Sequence, residues 1–214
     1  MKTLTLILSS VLSLLITSHA HAHEAGADLD KILYDKEKYF QIIDETSAPT
    51  FDLMDAHGNA VRLEDFSDKI VVLNFVYASC VDVCPLHAEK MASVQNMINI
   101  SPMVDMVQFI SITTDPAQDT FEVMNSYGPA HGLDPVNWTF LTTRPGKADD
   151  STRVLANAYR MKFTETDDGA QIHGVVTHII DRGGRFAAKF HGLKFNKTNL
   201  IIYINGLINS PHNN

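Results

Sequence analysis

Along this chain, apolar positions fall into short runs whose period changes from two to nearly four and back again. From Phe51-Asp52-Leu53-Met54 apolar and polar residues alternate up to Asp55-Ala56-His57-Gly58-Asn59, and alternation resumes at Val61-Arg62-Leu63. Period two on both sides of a turn predicts a short β-hairpin. Residues 70–77 form a continuous apolar run of the kind buried on both faces of a sheet. Over 85–100, Leu86, Met91, Val94, Met97 and Ile98 recur at helical spacing. A second buried strand over 107–112 leads into Thr114-Asp115-Pro116, where Asp as cap and Pro as opener predict a helix over 118–127. A third strand follows at 138–141, a third helix at 151–160 and a fourth strand at 175–181. The turn at Asp181-Arg182-Gly183-Gly184 folds 185–188 back as an antiparallel partner, and a last amphipathic helix covers 199–208. Hairpin, β, α, β, α, β, α, β, β, α implies an α/β fold, a mixed central sheet flanked by helices on both faces.

The ends read differently. Met1-Lys2, an apolar core over 4–16 and the small residues around Ala20-His21-Ala22 describe a secretory signal over 1–22. The apolar stretch is shorter than the roughly 20 residues of a membrane span. Export to the periplasm follows as an expectation, with the signal cleaved or kept as an anchor. Residues 23–47 are polar and mixed and read as a flexible arm, and 48–214 as a single domain. The net charge of -8 is spread along the chain with no basic stripe, which argues against nucleic acid as a partner.

The chemistry concentrates in Cys80-Val81-Asp82-Val83-Cys84-Pro85, which holds both cysteines of the chain. Thiols at i and i+4 can ligate one metal ion, close a structural disulfide or exchange disulfides. With Pro85 at the first helical position, Cys84 would stand at the N-cap, where helix dipole and free N–H groups favour a thiolate. Asp82 opposes this by like charge. In an oxidising compartment the pair would drift to disulfide, so a periplasmic thiol reductant is an expected partner. His87, three residues after Cys84, reads as a solvated helix residue, and Met103 and Met106 as core filling.

Several blocks together resemble the SCO/SenC family of thioredoxin-like copper proteins that assist assembly of the copper-A centre of cytochrome c oxidase. They are Asn74-Phe75-Val76-Tyr77-Ala78-Ser79-Cys80-Val81-Asp82-Val83-Cys84-Pro85, Ser111-Ile112-Thr113-Thr114-Asp115-Pro116-Ala117-Gln118-Asp119-Thr120, Trp138-Thr139-Phe140-Leu141-Thr142, Ile172-His173 and Asp181-Arg182-Gly183-Gly184-Arg185-Phe186. The resemblance implies a thioredoxin-like fold, copper as Cu(I) and/or Cu(II) at Cys80, Cys84 and His173, a supporting role for Asp115, and a cuproenzyme, cytochrome c oxidase, as recipient. It implies a metallochaperone, with a thiol–disulfide oxidoreductase on the same two cysteines as the alternative. Soft thiolates with one imidazole suit both copper states, while zinc accepts the same donors. Gln171 and Gly174 around the histidine depart from the family's usual wording. If one strand carried both His173 and His178, their odd separation would turn them to opposite faces.

Overall fold

The apolar run at 70–77 becomes the spine of the molecule. In a computed structural model, which describes residues 22–165 and 171–210 (backbone only for 22–28, 164–165 and 171–173), it is strand Ile70–Val76, with every residue buried. Its side chains alternate between two cores. Ile70, Val72 and Val76 enter one core together with Ala88, Met91, Tyr203 and Phe190. Val71, Leu73 and Phe75 enter the other, with Leu53, Ala156, Tyr159 and Phe186. A strand buried on both faces has no polar side to give away, which is why its sequence runs apolar without alternation.

The elements in chain order are α1 (Ala22–Lys36), β1 (Phe40–Glu45), β2 (Asp52–Asp55), β3 (Ala60–Arg62), β4 (Ile70–Val76), α2 (Val83–Asn99), β5 (Val107–Thr113), α3 (Phe121–His131), β6 (Trp138–Thr142), α4 (Ser151–Ala158), β7 (Phe163–Glu165), β8 (Gln171–His173), β9 (Val176–Ile180), β10 (Phe186–His191) and α5 (Lys197–Asn209). Eight strands make one mixed sheet in the order β1-β10-β9-β4-β5-β6-β2-β3. β4, β5 and β6 are parallel and joined through α2 and α3, while the remaining pairs are antiparallel. β7 and β8 form a separate two-stranded ribbon. The expected hairpin is β2–β3, and the mixed sheet between helices is the thioredoxin-like arrangement.

Residues 23–47, expected to be a flexible arm, carry α1 and the edge strand β1, which pairs with β10 from Phe40↔Phe190 to Glu45↔Phe186. Polar composition concealed α1 because only one face of it is covered: Leu29 fills a gap beside Gly206 that a Cβ there would close, and the Tyr203 hydroxyl donates to Asp30 at 2.9 Å. Just beyond α1, the buried Glu37 carboxylate accepts from Tyr39 N, Asn196 N and Asn199 Nδ2 at 3.2, 2.9 and 2.9 Å, tying the first described helix to the start of the last. Residues 1–21, which hold nearly all of the expected signal, lie outside the described residues. Among the described residues no helix is long and apolar enough to cross a membrane.

The start of α3 differs from expectation. Asp115 does not cap α3. Its carbonyl closes a separate turn by accepting from Gln118 N and Asp119 N at 3.1 and 3.0 Å, and the helix begins at Phe121 behind an extended Thr120. Thr120 Oγ1 accepts from Val123 N instead.

His178 lies on β9 opposite Leu73 and Lys189, fully buried within 6 Å of the Phe75, Tyr159 and Phe186 ring centroids. Its Nδ1 is 3.3 Å from the Leu73 carbonyl oxygen, and Nε2 has no partner. Burial first, then the nearby Lys189 ammonium, lower its pKa from 6.5 to about 3. The unfolded chain therefore takes up this proton first, and stability is lost as pH falls from 6.5 towards 3. His178→Phe keeps an aromatic ring and removes the titrating group. Urea unfolding from pH 7 to pH 5 should show the wild type losing about 2 kcal/mol more than the variant; parallel losses would refute the assignment.

Candidate functional site

β4 delivers the chain to the thiols. After Val76 the backbone turns sharply, with Cys80 N donating to Tyr77 O at 3.2 Å, and the fold of this turn is fixed from outside: Ala78 N donates to both carboxylate oxygens of Asp119 at 3.1 and 3.2 Å. α2 then begins at Val83 with Asp82 at the N-cap position. Cys84 is thus the second helical residue and Pro85 the third, not cap and first. Proline is accommodated there because all of the first-turn N–H groups lack intrahelical acceptors. Val81 is thrown out to solvent at 95% exposure, while Cys80 and Cys84 turn inward at 8% and 2%.

Both cysteines are free thiols. Burial raises the pKa of each, and their hydrogen bonds separate them. At Cys80 burial is outweighed by donors to its sulfur, namely the Cys84 thiol, the Asp82 and Cys84 backbone N–H groups and the Tyr77 hydroxyl, so its pKa is lowered. At Cys84 burial and the neighbouring Cys80 sulfur drive the pKa well up, against one backbone donor at Tyr77. Donating its proton to Cys80 leaves Cys84 the harder thiol to ionise, which reverses the order expected from the helix dipole. Tyr77 is itself pushed up to about 12, by burial first and then by Cys80.

The pair opens into a cavity of about 560 Å³. Tyr39, Tyr77, Val83, Val175 and Leu193 make its walls mostly apolar, with Asp82 and Lys194 as its charges. Gly174, the residue after His173, also lines it. His173 closes β8 opposite Phe163, and its side chain lies outside the described residues. β8 ends at His173 and β9 begins at Val176, so the two histidines stand on different strands and the single-strand parity argument does not apply.

The other candidates sort by position. Asp115 lines a second cavity of about 550 Å³, together with Arg144, Lys147 and Arg153, and does not line the thiol cavity. Asp119 lines that second cavity too, but its carboxylate, 2% exposed, is the one bonded to the thiol turn through Ala78 N; it also accepts from Thr113 Oγ1 at 2.5 Å and helps raise the Cys84 pKa. Its signal in the sequence was a second acidic residue one helical turn after Asp115. His87 is buried under α2, not solvated: Asn74 Nδ2 lies 3.3 Å from its Nδ1 and Thr177 Oγ1 2.8 Å from its Nε2. Those bonds turn it towards the sheet. Met103 packs against the core, while Met106 is 43% exposed. Among the described residues no cluster of three or more His, Cys, Asp and Glu is placed to hold a metal ion.

Comparison with known proteins gives a consistent result. The family model described as SCO1/SenC matches residues 42–209. Protein sco1 of Schizosaccharomyces pombe is 29% identical over 140 residues, 65% of this chain and 53% of that protein. The mitochondrial protein SCO2 homolog of Homo sapiens is 29% identical over 136 residues, covering 64% and 50%. The chain spans about half the length of the curated relatives it matches. Among solved structures, a SCO1/SenC family lipoprotein from Bacillus anthracis superposes with a TM-score of 0.69 at 22% identity, over 78% of this chain and 97% of that one. Bradyrhizobium japonicum ScoI, solved with copper bound, gives 0.60 at 27% identity, over 78% and 100%.

The two aspartates make opposite predictions. Asp119→Ala leaves Ala78 N–H and the Thr113 hydroxyl without their acceptor, a loss of roughly 1–3 kcal/mol, and frees the turn that covers the thiols. Denaturant unfolding should detect the loss, and iodoacetamide should label Cys84 several-fold faster. Asp115→Ala should change neither measurement; an equal effect from both variants would show that Asp119 has no special hold on the loop.

Proposed function

The chain belongs to the SCO1/SenC family, and on that premise we propose that it is an exported, periplasmic copper metallochaperone that holds one copper at Cys80, Cys84 and His173 and passes it to a cuproenzyme, the copper-A centre of cytochrome c oxidase. The observation that carries this reading is the pair of free, buried thiols on the floor of an apolar cavity whose wall includes the residue after His173. Two sulfurs suit a soft ion, and an added imidazole suits its oxidised form, which favours copper over harder cations. Relatives described with copper bound support the choice of metal.

The division of labour between the thiols follows from their surroundings. Cys80, already supplied with hydrogen bonds, ionises first and makes the first bond to the incoming ion. Cys84 gives up its proton only as the ion arrives, since metal binding and thiol deprotonation are linked. The apolar walls limit water around the sulfurs and so protect a Cu(I) state from hydration and oxidation. The recipient must bring its own soft donors into the cavity mouth, because Cys84 is almost wholly covered.

The same unequal acidity favours a second reading, a thiol–disulfide oxidoreductase that keeps the cysteines of an apo copper site reduced. A nucleophile with lowered pKa beside a buried partner is the arrangement used for disulfide exchange. It requires a thiol reductant as partner.

Metal analysis separates the readings. The reduced wild type should take up about one copper per chain, and Cys80→Ser/Cys84→Ser essentially none; equal uptake by the two would overturn the metallochaperone. His173→Ala should lose most of the thiolate-to-Cu(II) charge-transfer absorption while both thiols still react at wild-type rates. An unchanged band in that variant would remove His173 from the ligand set.

A further inference from the structure

The walls of the thiol cavity come from separate pieces of chain. Val83 and the sulfurs belong to α2 and the turn before it, Tyr39 to the joint between α1 and β1, and Gly192, Leu193 and Lys194 to the loop after β10. The last two pieces are bonded to each other through one side chain. Glu37 follows α1, its N–H donating to Leu33 O at 2.7 Å, and is 5% exposed. One carboxylate oxygen accepts from Tyr39 N at 3.2 Å; the other accepts from Asn196 N and Asn199 Nδ2, both at 2.9 Å. Around this clamp, His191 N donates to Tyr39 O at 2.8 Å, Gly192 N to Val175 O at 2.7 Å and Lys90 Nζ to Phe195 O at 2.8 Å. Burying a carboxylate is costly unless its oxygens are well supplied with donors. Holding α1 on α5 does not need one, since Leu29 already packs against Gly206. The charge is therefore placed for what it bonds, the backbone of a cavity wall. The family match begins at residue 42, so both Glu37 and Tyr39 stand ahead of it.

We propose that Tyr39 is a specificity-determining wall of the thiol site and Glu37 its positioning residue: the carboxylate clamps the Tyr39 backbone to the loop over 192–196 and so sets the size of what reaches Cys80 and Cys84. With the clamp made, a bare ion or a narrow, extended peptide segment enters and a bulky thiol reagent is held off. With the clamp broken, Tyr39 and Leu193 part and the mouth widens. This deepens the reading of Cys80 and Cys84 as a working pair and rests on it. Replacing Glu37 by glutamine shows why the charge matters. An amide offers one acceptor and one NH2 group in place of two acceptors, so keeping the bonds to Asn196 and Asn199 turns the NH2 against Tyr39 N–H, donor against donor.

The test has a metal-free arm and a copper arm. In the first, the reduced chain is labelled at its thiols with iodoacetamide and, separately, with fluorescein maleimide, and the ratio of the two rates reports the size limit. Glu37→Gln should raise the maleimide rate about tenfold and the iodoacetamide rate by less than about twofold. Tyr39→Ala, at a half-buried ring, should shift the ratio the same way, and it carries the test should Glu37→Gln fail to fold. Tyr203→Phe removes the hydroxyl that donates to Asp30 and loosens α1 on α5 at a different point. That variant should lower the melting temperature and leave the ratio unmoved. A wild-type ratio in folded Glu37→Gln or in Tyr39→Ala, or an equal shift in Tyr203→Phe, would make the joint merely structural and overturn the inference. In the copper arm, Glu37→Gln and Tyr39→Ala should each speed removal of Cu(I) by the bulky chelator bathocuproine disulfonate about tenfold; unchanged removal from the copper-loaded chain would overturn it too. If the wild type takes up no copper while the labelling ratio shifts as stated, the metallochaperone fails and the size-limiting wall stands.

Discussion

The site turns on a single constraint: two sulfurs, whose proposed work needs them to shed protons, are held where burial resists their ionisation. Cys80 escapes the constraint through four hydrogen-bond donors, and Cys84 does not. The surrounding structure follows from this asymmetry. A strand buried on both faces places the turn rigidly, the first turn of α2 presents N–H groups to Cys80, and Asp119 pins the turn from the far side through Ala78. Removing water makes each of these contacts stronger than it would be at the surface, and makes each unfilled contact more costly.

The parts of this arrangement that could be read from the sequence were those governed by short-range pattern. The runs at 70–77 and 107–112, the hairpin around Gly58 and the helix after Pro85 declared themselves by periodicity and turn chemistry. The two cysteines stood out by their number alone. The segment carrying α1 could not be read in this way, because its covering face depends on Gly206 and Tyr203, nearly two hundred residues away. Asp119 was hidden for a related reason. Asp115 had the better local credentials as a cap, and only the fold shows that the next acidic residue is the one drawn inward to the thiol turn.

The relative acidity of the thiols was the least legible feature. Position along a helix suggests a lowered pKa at Cys84, and in an exposed helix start that argument would hold. Here the sulfur is 2% exposed and acts as donor to its neighbour, so desolvation and local hydrogen bonding outweigh the dipole. His178 shows the same hierarchy in a group remote from the site: its environment is aromatic on three sides, and burial sets its behaviour before any single contact does.

The thiol cavity is assembled from four separated pieces of chain: Tyr39, residues 77–84, the segment at Gly174 and Val175, and the loop from Gly192 to Lys194. The last of these walls follows Cys84 by roughly a hundred residues. During synthesis at roughly 5–20 residues per second, the sulfurs therefore exist for about 5–20 s before the wall that shelters them has been made. For that interval the apolar shield described above does not exist, and the redox fate of the pair is decided by the medium through which the growing chain passes.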